Sequence, residues 1–218
     1  MEKIADAKIR RQLVEGVGVN DADYQVKIVG QNSRTADGRR IQKYLWECPF
    51  YSRWKGMLRR CYNSRYKATR PTYAGCSVVD SWLVFSNFKS WMEKQDWQGK
   101  EIDKDLLVPG NKLYGPDTCV FIDRAVNVFL TERKGDRSAG LVGVYQERRR
   151  RGFKANCQDV DSGRQIYLGR FATAEEAHEA WRKFKLSQAL ILAARQSDPR
   201  VAAALIARYQ AQEAQEAA

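Results

Sequence analysis

Ile4, Ala5, Ile9 and Leu13 recur on one helical stripe before Gly16-Val17-Gly18, so residues 2–15 predict a short amphipathic helix. Turn formers then dominate through Asn20, Asp21, Asp23, Asn32, Ser33 and Gly38, which predicts an extended arm with one strand over 24–29. From Pro49, suited to a first helical position, Trp54, Met57, Leu58 and Cys61 repeat at the spacing of one buried helix face. Its other face is basic. After Pro71 and Gly75, Asp80 is placed to cap a second helix whose Trp82, Phe85, Phe88 and Trp91 form an aromatic core stripe.

Residues 100–130 read as strand, loop, strand, helix: apolar runs at 106–108 and 119–122, turn residues Pro109, Gly110, Asn111, Gly115 and Pro116, and Asp123 as the cap. The polar stretch 131–139 is a linker. Three short strands follow at 141–146, 152–160 and 165–171, separated by an arginine run and by Asp-Ser-Gly-Arg. Thr173 and Glu176 make a capping box for a helix burying Ala177, Ala180, Trp181, Phe184 and Leu190, and Asp198-Pro199 opens a last helix. The class is α+β: a ββα module with flanking helices, a three-stranded antiparallel sheet packed on one helix, and a C-terminal helix. The boundaries are an arm over 1–48, a first domain over 49–130, the linker over 131–139, a second domain over 140–197 and a helical tail over 198–218.

The 218 residues carry a formal net charge of +12, which favours a polyanionic partner because each cation set against phosphate releases counterions. Nucleic acid fits best. No apolar run approaches the roughly 20 residues that span a bilayer, and the N-terminus lacks a signal-peptide apolar core, so no membrane partner and a cytoplasmic location, in a host cell, are expected. Cys48, Cys61, Cys76, Cys119 and Cys157 form no close pair, so buried thiols are expected rather than disulfides or a zinc site.

On the second of these three strands, alternation sends Phe153, Ala155 and Cys157 to the helix and Lys154, Asn156 and Gln158 outward, where Lys and amide side chains read base edges in a major groove. Arg148, Arg149, Arg150 and Arg151 at the hairpin, with Arg164 and Arg170, suit phosphate. In the first domain Arg53, Lys55, Arg59 and Arg60 lie on the basic helix, followed by Arg65, Lys67 and Arg70.

The motif LGRFATAEEAHEAW, with Gly143-Val144 and Phe153, resembles the APETALA/ethylene-response-factor DNA-binding domain, with Trp181 where that family has tyrosine. The resemblance implies a three-stranded sheet that reads duplex DNA, with Tyr145 at one of its arginine positions. The stretch from CPFYSRWKGMLRRCYN to IDKDLLVPGNKLYGPDTCVFIDRAVNVFL is similar to phage HNH or homing endonucleases. That implies phosphodiester hydrolysis at Asp103, Lys104, Asp105, Asn111 and Asn127, with one Mg²⁺ or Mn²⁺ held by Asp103, Asp105 and Asn127. Lys104 occupies the histidine position, and a protonated lysine is no base.

Three functions therefore stand side by side. The first is a homing-type endonuclease. The second is a catalytically inactive, nuclease-derived DNA-binding or regulatory protein, with a host or phage protein as a further partner. The third is a single-strand or RNA binder, which aromatic side chains on an open sheet would support. None requires a small-molecule cofactor.

Overall fold

The computed structural model describes residues 13–31, 33–38, 40–41, 44–131, 140–146 and 152–214. The expected helix over 2–15, apart from its last three residues, most of the linker, and Arg148, Arg149, Arg150 and Arg151 lie outside the described residues.

The arm holds β1 (Lys27–Val29), β2 (Ser33–Arg34), β3 (Arg40–Ile41) and β4 (Tyr44–Glu47), with β1 antiparallel to β4 and β2 to β3. Two helices follow, α1 (Pro49–Tyr62) and α2 (Ser64–Thr69), then β5 (Ser77–Val78) and α3 (Phe85–Met92). The middle of the chain supplies β6 (Glu101–Asp103), β7 (Leu113–Tyr114), β8 (Val120–Ile122) and α4 (Arg124–Leu130). The last part is β9 (Val144–Gln146), β10 (Phe153–Gln158), β11 (Gln165–Phe171), α5 (Ala174–Ala194) and α6 (Pro199–Ala214). The class is α+β, as the periodicity predicts.

Two compact units divide the chain: one holds the described residues up to Gln98 with Val108–Phe121, the other Gly99–Leu107 and everything from Ile122 onward. Residues of the expected first domain, 49–130, fall in both units. Helix α4 belongs to the later unit because the Phe129 carbonyl accepts from Lys185 Nζ at 2.8 Å and the Phe129 ring lies 5.4 Å from that of Tyr209.

In the first unit, Trp54, Met57, Leu58, Phe85, Phe88 and Met92 are fully buried, as the α1 spacing predicts, and Trp54 Nε1 donates to the Trp82 carbonyl at 2.6 Å. The aromatic stripe occupies two elements, not one helix. Asp80–Leu83 forms a 3-10 turn that Asp80 does not cap with its side chain, and Val84 is extended before α3 begins. Val19 causes the break: its amide donates to Leu83 and its carbonyl accepts from Phe85, at 2.8 and 3.0 Å, which takes those backbone groups out of any continuous helix. Beside it, Gly18 lies so close to α1 that a Cβ there would stand 2.3 Å from Leu58 Cδ1.

In the second unit β11, β10 and β9 form an antiparallel sheet in that order. Val144, Ala155, Cys157, Ala177 and Trp181 bury its inner face against α5. Thr173 and Glu176 form the expected capping box. The second half of α5 buries Ala189, Leu192 and Ala193, and α6 contributes Val201, Leu205 and Tyr209 to the core. Leu190, expected inside, is 47% exposed, because the buried stripe runs one residue earlier, through Ala189. All five cysteines are buried and none forms a disulfide. Among the described residues no helix is long and apolar enough to cross a membrane.

Candidate nucleic-acid interface

At 100° per residue, the buried stripe of α1 leaves its basic side chains on two flanks, with Arg53 and Arg60 on one and Lys55 and Arg59 on the other. The two flanks have different surroundings. Lys55 is half-buried beside Lys27, and burial followed by that second ammonium lowers its pKa. Arg59 is exposed, with its guanidinium 5.0 Å from the Tyr66 ring centroid, and Arg70 lies over the same ring at 4.8 Å.

Asn63 ends α1 and caps α2 by accepting from the Tyr66 amide at 2.9 Å, which is what sets Tyr66 between the two arginines. Tyr66 is in turn 5.9 Å from Tyr73, whose ring, with that of Tyr114, flanks Arg60 at 5.9 and 5.5 Å. Burial opposes the charge on Arg60, but Tyr114, Tyr73 and Tyr66 outweigh it and raise its pKa, so the guanidinium stays charged. Arginines and tyrosines here form a ladder whose outer members, Arg59 and Arg70, face solvent.

The sheet presents a second basic and aromatic face. Ala155 and Cys157 are buried against α5, so Lys154, Asn156 and Gln158 point the other way, as alternation predicts. Register pairs Lys154 with Tyr145 and Arg170, Asn156 with Tyr167, and Gln158 with Gln165. The pairing slips between Ala155 and Asn156, where β11 carries an extra residue at Leu168-Gly169. That bulge puts Leu168 into the core and turns Tyr167 and Gln165 outward. Tyr167 is 58% exposed and Tyr145 38%. Among the described residues this face has no acidic side chain. Arg164 is exposed in the turn before β11, where its carbonyl accepts from the Asp159 amide.

The predicted site missed Tyr167, Gln165, Tyr66 and Tyr73. For the first two a signal existed, since a glycine inside a strand, here Gly169 at φ +139°, marks a bulge that rephases its neighbours.

The residues expected to cut DNA are otherwise engaged. The strand expected over 106–108 lies earlier, at β6, and ends at Asp103, so Asp103 and Asp105 do not share a strand face. Asp103 Oδ1 accepts from the amides of Asp105 and Leu106 at 2.9 and 2.7 Å, which folds the chain into a turn. Burial, then the Asp105 carboxylate beside it, raises the pKa of Asp103. Lys104 is buried and places Nζ 3.1 Å from Asp105 Oδ2. Asn127 donates to Glu101 Oε2 at 2.6 Å. Asn111, in the first unit, holds its own turn by accepting from the Leu113 amide and donating to the Leu113 carbonyl.

This donor set does not suit a divalent ion. One oxygen of Asp103 is committed to two amides, and the Lys104 ammonium sits 3.1 Å from Asp105. Among the described residues no three His, Cys, Asp or Glu side chains converge on a common point. No family model, no curated protein and no solved structure matches the chain.

Proposed function

We propose that the chain is a DNA-binding protein that acts by holding nucleic acid rather than by hydrolysing it at Asp103. The observation that carries this reading is the outer sheet face, where Arg170, Lys154 and Tyr145 form one cross-strand row and Asn156, Gln158 and Gln165 supply amides. A twisted ribbon of this kind fits a major groove, with cations on phosphate and amides on base edges. The likeness to the APETALA/ethylene-response-factor domain belongs to this proposal, as does the descent of residues 49–130 from an HNH-type nuclease. The Arg59–Tyr66–Arg70 stack supports a second phosphate contact surface on the first unit.

Anisotropy titration of a labelled duplex at several salt concentrations tests the reading. Affinity should fall steeply and linearly in log–log form as salt rises. Absence of salt-sensitive binding would overturn it. Incubation with supercoiled plasmid and Mg²⁺ or Mn²⁺ tests the nuclease alternative: nicking by the wild type that disappears in Asp103→Ala would restore catalysis to this site.

A further inference from the structure

Beside the outer sheet face, the second unit holds a cleft of about 880 Å³. β9 pairs only with residues 153–155 of β10, and the Gly143 carbonyl takes the next amide, that of Asn156. Beyond that point no strand among the described residues covers this edge of β10. Arg124, Val128 and Phe129 of α4 stand across the gap, and Trp181 and Lys185 of α5 also line it. Four residues of the outer face, Tyr145, Asn156, Gln158 and Gln165, line the cleft as well. It is a continuation of the surface proposed to read DNA.

The volume falls within the range of about 300–1,000 Å³ typical of small-molecule sites. Its lining joins apolar, amide and cationic groups with one carboxylate, that of Asp159, one oxygen of which accepts from the Ser162 amide and hydroxyl. Tyr145 and the 46% exposed Val128 offer apolar surface for a base plane, Asn156 and Gln158 offer paired donors and acceptors for a base edge, and exposed Arg124 offers a cation for phosphate. Lys185 adds a positive charge held 3.5 Å from the Phe129 ring centroid.

We propose that this cleft receives one unpaired nucleotide of the nucleic acid lying on the sheet, its base against Tyr145 and Val128 and its phosphate toward Arg124. The inference rests on the DNA-binding reading and adds to it a preference for substrates that already contain an extrahelical or unpaired base. A base inside an intact duplex must be unstacked before it can enter, whereas a bulged base has already met that cost.

The test uses the full chain and two labelled duplexes of one sequence, fully paired or carrying a single extrahelical 2-aminopurine. The bulged duplex should bind roughly tenfold more tightly, the value of one stacked base, and its 2-aminopurine emission should change on binding. Val128→Trp fills the cleft from an exposed helix position and should erase that preference while leaving paired-duplex affinity as it was. Arg124→Glu should lower the bulged-to-paired ratio without disturbing the sheet. Equal affinity of wild type for both duplexes, or a preference that survives both substitutions, overturns the cleft assignment and leaves the DNA-binding reading intact. Loss of binding to both duplexes by the wild type defeats the two together.

Discussion

Gly143 ties the sheet to its helix through a contact that only a glycine permits. Its φ is +77°, and a Cβ built there would lie 2.1 Å from Trp181 Cδ1. The carbonyl of the same residue accepts from Asn156, so the backbone cannot retreat from the indole without losing the end of the β9–β10 ladder. Gly143→Ala should therefore destabilise the protein by on the order of 2–4 kcal/mol, combining backbone strain and overpacking. Urea unfolding monitored by tryptophan fluorescence measures it; a loss under about 0.5 kcal/mol would mean that Trp181 moves freely and that its packing is not fixed from this side. His178 takes part in the same arrangement, with Nδ1 2.9 Å from the Val142 carbonyl and its ring stacked 5.5 Å from Trp181. The sole histidine is thus a packing residue of α5, which agrees with its position beside Ala177 on the helix.

Among the elements, α6 begins where Asp198-Pro199 predicts, and its first turn shows why. Asp198 Oδ1 accepts from the Arg200 amide at 2.9 Å, while Pro199 occupies the position that needs no N–H donor. The Arg200 side chain also donates to this carboxylate and is the main reason its pKa is lowered. Because the folded value is the lower one, the unfolded chain takes up the proton first as pH falls. The stabilisation is fully present above the ordinary aspartate value of about 3.9 and is lost as pH drops through the depressed value. Asp198→Ala should cost about 1 kcal/mol at neutral pH, and the difference from wild type should shrink in acid. Equal differences in thermal melts at both pH values would sink the charge-based part of this account. Elements with such local chemistry were legible: the α4 and α5 caps, the buried stripe of α1 and the alternation of β10 all depend on neighbours in sequence. Those set by distant partners were not. Val19 splits the aromatic helix through bonds to Leu83 and Phe85, and β5 pairs in parallel with β7 across more than thirty residues, which no periodicity encodes. The apolar run at 106–108 misled because Asp103 turns the chain by capturing two amides, an Asx turn that hydrophobicity does not report.

For the whole molecule, a net charge of +12 alone does not distinguish a binding surface from a merely soluble one. What separates them is whether particular cations release counterions. If the sheet face and the Arg–Tyr ladder contact phosphate, Arg170→Ala, Lys154→Ala and Arg59→Ala should each reduce the slope of log affinity against log salt by about 1. Lys183 provides the internal control: it is 70% exposed and 3.4 Å from Glu179 on α5, the helix packed against the face of the sheet opposite Lys154 and Arg170. Its replacement by alanine removes the same formal charge, so a generalised electrostatic attraction would lower the slope just as much. A specific interface predicts that Lys183→Ala leaves the slope at the wild-type value, and Tyr167→Ala makes the complementary prediction of weaker binding at an unchanged slope, since a stacked ring neutralises no phosphate. Anisotropy titrations of these variants across a salt series separate the two cases. If Lys183→Ala and Arg170→Ala shift the slope equally, the charge of the chain acts as a diffuse field and neither face is a binding site.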